Sequence, residues 1–133
     1  MRYLLDTNII SNVIDYPTGV AVERLRREAS AAHIVTSIIV VAELRYGYTK
    51  ITSNRLRQAY ERFFGSIEIE GWETPFDHTY AEIRNQLEKK GRPIGAMDML
   101  IASHAKATDA IVVTANEKHF SQVPGLKFEN WLR

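Results

Sequence analysis

The sequence predicts an α/β fold: a mostly parallel central sheet with helices on both faces, in an α/β/α sandwich. Two observations carry this prediction. Short apolar runs bounded by turn residues alternate along the chain with longer stretches whose apolar residues recur every three to four positions, the pattern of strands alternating with helices. The chain has 133 residues and 45% hydrophobic content, enough for one core of ordinary size but not two. Strands separated by helices pair in parallel through right-handed crossovers, so helices come to cover the sheet. A single domain over residues 1–133 is expected, because no repeat, low-complexity tract or linker breaks the alternation.

Tyr3 to Leu5 reads as a short strand ending at Asp6, with Thr7 or Asn8 placed to cap a helix. Val20 to Ala31 is helical, with Val20, Val22 and Leu25 among charged neighbours, and His33 to Thr36 is a second strand. Ser37 is the expected cap of a helix running to about Tyr48, with Ile38, Val41 and Ala42 inward and Gly47 marking its end or a close approach. Asn54 to Phe64 is amphipathic: Leu56, Tyr60, Phe63 and Phe64 fall at helical spacing, while Arg55, Arg57, Glu61 and Arg62 take other faces. Ile67 to Ile69 reads as a strand, and Phe76, Tyr80, Ile83 and Leu87 keep a helical step until Gly91 opens a turn. After Gly95 a helix carries Met97, Leu100, Ile101 and Ala105. Ala110 to Val113 is a buried strand followed by Thr114 and Asn116, and a last strand is expected near Leu126 to Phe128.

Composition excludes several functions. With 17 Lys and Arg against 16 Asp and Glu the net charge is +1, so any nucleic-acid binding uses local basic patches rather than the charge of the whole body. The absence of cysteine removes disulfides, thiolate metal sites and thiol nucleophiles, and suits a reducing cytoplasm. An apolar start cut at once by Asp6 makes no signal-peptide core. The longest apolar stretch, Ile34 to Leu44, is interrupted by Thr36, Ser37 and Glu43 and falls short of the roughly 20 residues of a membrane span. A soluble cytoplasmic protein is expected. Phosphate-loop, HExxH and GxSxG motifs are absent, and His33, His78, His104 and His119 lack paired ligand spacing.

Three acids stand out: Asp6, Glu43 and Asp98, each at the edge of an apolar segment. A carboxylate there is costly to desolvate unless a donor or cation compensates. Taken singly, Asp6 suits a strand end or cap, Glu43 a solvated helix position, and Asp98 the first turn of a helix, where the dipole favours negative charge. In parallel sheets, however, ligands gather beyond the carboxyl ends of the strands, where Asp6 and Asn116 both fall.

Four ordered motifs, LLDTNIIS at Asp6, VAELRYG at Glu43, GRPIGAMDMLIASHA at Asp98 and VVTANEKHF near the C-terminus, resemble the PIN domain and, within it, the VapC-type toxin ribonucleases of bacterial toxin–antitoxin pairs. The resemblance spans essentially the whole chain. It implies Asp6, Glu43 and Asp98 grouped around Mg²⁺ or Mn²⁺, in a metal-dependent endoribonuclease that inhibits translation. It also implies a type II pair in which a VapB-like antitoxin holds the toxin inactive, and a homodimer or higher oligomer. GRPIGAMD brings the chain nearest to toxins that cut the anticodon loop of initiator tRNA.

Chemistry agrees with that implication, since hard oxygen donors suit Mg²⁺ or Mn²⁺ and a divalent cation assists phosphodiester hydrolysis. Asp6 and Asp98 are the first-choice ligands, with Glu43 acting through a held water or orienting the attacking one. The fourth motif departs from the family, which usually carries an acid just before the Phe, where this chain has His119. Glu117 lies two residues earlier, roughly 200° away on a helical turn, so it does not simply replace that acid. Either three acids act with Asn116 or the turn is rearranged, and His119 is read as a surface residue, with a metal or phosphate contact as the alternative.

Thr7, Asn8, Thr114 and Asn116 are expected to orient carboxylates and backbone. Lys89, Lys90 and Arg92, shortly before Asp98, are the expected RNA-phosphate contacts. Tyr46 and Tyr48 suit packing better than base stacking, and His104 is expected to pack against its neighbours. The apolar faces of Val20 to Ala31 and Asn54 to Phe64 exceed what a small sandwich must bury, so part of that surface is expected to meet another chain. The same acids would also serve a PIN-type nuclease of RNA processing or DNA cleavage, and His119 leaves room for a non-catalytic PIN-like binding protein.

Overall fold

Tyr3, Leu4 and Leu5 are buried on both sides of their strand, which is why a run without polar alternation sits in the middle of a parallel sheet. In the computed structural model, which describes residues 1–133, this strand is β1 (Arg2–Leu5). It pairs in parallel with β2 (His33–Ser37) on one side and β4 (Ile111–Val113) on the other, with Leu4 level with Val35 and Val112. β3 (Glu68–Glu70) lies beyond β2 and β5 (Phe128–Glu129) beyond β4, giving five parallel strands in the order β3-β2-β1-β4-β5.

The helices are α1 (Thr7–Asp15), α2 (Val20–Ala29), α3 (Ile38–Tyr48), α4 (Asn54–Ser66), α5 (Phe76–Lys89), α6 (Ala96–Ala107) and α7 (Glu117–Phe120). Connections from β1 through β2 to β3 step one way across the sheet, and those reaching β4 and β5 step the other, so right-handed crossovers send their helices to opposite faces. Accordingly α1 packs with α2, α3 and α4, while α5 runs along α6. The reversal falls between β1 and β4, and a crevice opens beyond the carboxyl ends of strands at such a point.

One cluster of 25 buried apolar residues reaches from Tyr3 to Trp131, whose indole meets the Tyr3 ring edge-on at 5.1 Å. Both ends of the chain therefore enter one core. Truncating a fully buried member such as Ile101 or Leu87 to alanine is expected to cost about 2–5 kcal/mol through lost burial and the cavity left behind. No helix is long and apolar enough to cross a membrane.

Local signals placed most boundaries. Ser37 caps α3 by accepting from the Ile39 amide at 3.1 Å. Gly91, at φ 64°, closes α5, with the Arg92 amide donating to Leu87 O at 2.9 Å. Other expectations need correction. The cap of α1 is Asp6, not Thr7 or Asn8, because its carboxylate already accepts from the Thr7 amide. In α3 the buried residues are Val40, Val41 and Leu44, while Ile38 and Ala42 face outward. That helix is apolar nearly all round, so its sequence did not fix its phase, and Gly47 meets no close neighbour. In α6, Met97 is exposed, and Met99, Ala102, Ser103 and His104 join Ile101 and Ala105 inside. Val20 is exposed as well; Ala21 and Val22 carry the burial of α2, which ends at Ala29 rather than Ala31. The last strand is Phe128–Glu129, starting two residues later than expected, where pairing with Val112 and Val113 sets it.

Candidate active site

Asp6 is the first residue past β1, and its amide still donates to Val113 O at 2.9 Å, which ties it to the end of β4. Its side chain is 2% exposed. One oxygen, Oδ1, accepts from the Thr7 amide at 2.8 Å and from the Thr7 hydroxyl at 3.4 Å. The other, Oδ2, accepts from the Thr114 hydroxyl at 2.8 Å and from Asn8 Nδ2 at 3.4 Å. Asn8 and Thr114 are themselves held: Asn8 Oδ1 accepts from the Ala115 amide at 2.8 Å, and Thr114 Oγ1 from the Asn116 amide at 2.9 Å. These four residues therefore knit the β1–α1 turn to the β4–α7 turn across the crevice. Thr7, Asn8 and Thr114 all donate to the Asp6 carboxylate.

Asp98 arrives from the other face of the sheet, in the first turn of α6. Its Oδ2 lies 3.1 Å from Asn116 Nδ2 and 2.8 Å from His119 Nδ1. Glu43 comes from the middle of α3, which packs against both α1 and α6 and so brings this carboxylate between the other two. Its Oε1 is buried and has no hydrogen-bond partner in the protein.

The electrostatics follow from this arrangement. Burial pushes the Asp6 carboxyl above its ordinary range, against the hydrogen bonds from Thr7 and Thr114, and the charge of Asp98 adds to the rise. Glu43 is pushed up to about 7 by burial first and then by Asp6 and Asp98. No three acidic or histidine side chains close around one point at coordination distance. The three carboxylates are electrostatic neighbours rather than a formed cage. An orphaned carboxylate oxygen beside two further acids nonetheless fits a hard divalent cation, which would supply the missing partner and lower the repulsion.

The remaining candidates divide. His119 keeps a surface position, its side chain 42% exposed, and α7 also turns its ring onto Asp98. Glu117 is not brought in: its Oε2 accepts from Asn130 at 3.0 Å and pairs with Arg133 at 2.6 Å, so the C-terminal tail holds it away. Lys89, Lys90 and Arg92 are exposed on the segment leading into α6, and Arg92 donates to Gln122 just past α7. Tyr48 packs edge-on against Tyr60, whereas Tyr46 is 66% exposed with Lys50 over its ring. His104 is fully buried, stacked on Phe76 and 3.0 Å from Glu70.

The apolar face of α4 is matched by one on α1 that was not expected from the sequence. Val13, Ile14 and Pro17 face Leu56, Ala59 and Phe63 across a groove of about 550 Å³ between α1 and α4, rimmed by Arg55 and Arg62. Ile9, Ile10, Val13 and Ile14 recur at helical spacing, so the signal for this wall was present.

A five-stranded parallel sheet covered by helices is the fold the four motifs imply, and comparison with known proteins agrees. The PIN domain family model matches residues 3–126. Ribonuclease VapC2 of Rickettsia felis is 39% identical over 132 residues, covering 98% of either chain. The tRNA(fMet)-specific endonuclease VapC of Salmonella typhimurium is 31% identical over 133 residues, again covering 98% of each. Among solved structures, that of VapBC2 from Rickettsia felis bound to a DNA fragment from their promoter superposes with a TM-score of 0.93 at 38% identity, covering 98% of this chain and 99% of the other. The chain belongs to the PIN-domain family, in its VapC branch of ribonucleases.

Proposed function

We propose that the chain is a divalent-cation-dependent endoribonuclease, the toxin of a type II toxin–antitoxin pair, acting in the cytoplasm on structured RNA and thereby inhibiting translation. The observation that carries the reading is the partnerless buried oxygen of Glu43 beside Asp6 and Asp98. Asp6, Asp98 and Glu43 would hold Mg²⁺ or Mn²⁺. When bound, the cation supplies charge neutralisation on the phosphodiester and a lowered pKa for the attacking water. Thr7, Asn8, Thr114 and Asn116 keep the carboxylates aimed into the crevice. Lys89, Lys90 and Arg92 would meet RNA phosphates, because they are exposed on the approach to Asp98.

The name of the Salmonella relative supports initiator tRNA as the target, and the anticodon loop is the proposed place of the cut. Unpaired loop bases are accessible to side chains as duplex bases are not. A VapB-like antitoxin is the proposed partner, supported by the VapBC complexes among the similar structures. An amphipathic segment fits the apolar groove between α1 and α4. That groove begins about 10 Å along α1 from Asp6. A partner arginine passing on to Asp6 or Asp98 would compete with the cation for its ligands. Exposed Ile38 and Tyr46 on α3 support self-association as a homodimer.

The test is to sequence RNA ends after brief induction of the native chain and of Asp6→Asn. New ends clustered in one tRNA loop, with the native chain alone, are expected. No new ends over an uninduced control with the native chain would remove the nuclease reading, and the same new ends from both proteins would remove Asp6 from the site.

A further inference from the structure

We infer that His119 is a positioning residue for Asp98, a hydrogen-bond donor that reserves one carboxylate oxygen for the protein and leaves a centre that takes one divalent cation per chain. The inference rests on the acidic cluster being a cation-binding centre and concerns what α7 adds to it. Asn116 Nδ2 and His119 Nδ1 stand 2.9 Å apart, and both reach the same oxygen, Asp98 Oδ2, at 3.1 and 2.8 Å. The amide nitrogen is donor-only. With Asp98 ionised, a contact of 2.8 Å requires a proton on Nδ1, because two lone pairs at that distance repel. On this assignment the imidazole carries its hydrogen on the nitrogen facing Asp98, that nitrogen is not free to ligate, and its 2.9 Å approach to the Asn116 amide is a contact between two donors sharing one acceptor rather than a hydrogen bond. Oδ2 takes two donors, and Oδ1 is left to serve the crevice.

The rest of α7 offers no substitute ligand. Glu117, its one acid, is bound to Asn130 and Arg133. Both oxygens of Asp6 already carry donors, and Glu43 brings a buried oxygen without a partner. Three carboxylates, two of them oriented by fixed donors, offer the charge and open lone pairs for one hard cation, while a second would be held mostly by water. Hydrogen-bond partners of this kind set ligand orientation, and their removal typically weakens metal binding roughly 10- to 100-fold.

The experiment is a Mn²⁺ titration followed by electron paramagnetic resonance on the native chain, His119→Ala, His119→Asn and Asp6→Asn, each checked for folding by circular dichroism. One Mn²⁺ per native chain is expected, with no nitrogen hyperfine coupling from His119. His119→Ala should weaken binding about tenfold or more, and His119→Asn, whose amide donates to the same oxygen, should regain most of it. Native affinity in His119→Ala, a second ion of comparable affinity, or a nitrogen coupling lost in His119→Ala would each overturn the inference while leaving the cation centre standing. Failure of the native chain to bind Mn²⁺, or native binding by Asp6→Asn, would overturn the cation centre and this inference with it.

Discussion

Thr114 donates its hydroxyl to Asp6 Oδ2 at 2.8 Å, joining residues 108 positions apart at the ends of β4 and β1. The same hydroxyl oxygen accepts from the Asn116 amide, so one threonine links the buried acid to the turn that carries Asn116 toward Asp98. Thr114→Val keeps the shape and removes both functions. The expected result is a stability loss of about 1–3 kcal/mol in denaturant unfolding, from a buried acceptor left with only the long Asn8 contact and a half-buried amide left without its partner. Cleavage should fall about tenfold with it, and an unchanged unfolding midpoint would show that the link is idle.

Asp6→Asn and Asp98→Asn keep side-chain size and much of the hydrogen bonding while removing charge from the proposed cation site. Cleavage of the identified RNA should drop by at least about 100-fold in each, with far-UV circular dichroism unchanged. Native-rate cleavage by purified Asp6→Asn in Mg²⁺ would mean that the acids do not hold the catalytic ion.

Glu43 gives a pH signature whose sign is fixed by its raised pKa. Its folded-state value of about 7 lies above the ordinary 4.5, so the native state binds more protons than the unfolded state between those values. Its contribution to stability is therefore lost as pH rises from about 4.5 to about 7. His104 works the other way, because burial lowers its pKa from 6.5 and stability is lost as pH falls below that value. Subtracting the melting curve of Glu43→Gln from that of the native chain in EDTA isolates the Glu43 effect. The native chain should lose ground to the variant by several degrees between pH 5 and pH 8, and Mg²⁺ at pH 8 should restore it. A pH-independent difference between the two proteins would contradict the buried, mutually repelling acids.

Ala59 sits in the wall of the groove between α1 and α4. Ala59→Arg fills that groove with a long charged side chain and should weaken capture of the VapB-like antitoxin at least about tenfold by calorimetry, with the melting temperature of the isolated chain little changed. Native affinity in the variant would move the partner to another surface.

The sequence by itself determined what depends on near neighbours along the chain. The order of strands and helices, the caps at Ser37 and Gly91, and the strand-end position of Asp6 are all set within a few residues by periodicity and capping chemistry. The motifs also singled out Asp6, Glu43 and Asp98, and the structure sets the three within electrostatic reach of one another. Tertiary structure alone decided the phase of α3, because a helix apolar nearly all round has no inward face until α1, α6 and the sheet choose one. It also decided between two neighbours on α7: the tail residues Asn130 and Arg133 draw Glu117 away, and Asp98 takes His119. A side chain's partner is settled by the chain segments that fold against it, and those lie beyond the reach of local spacing.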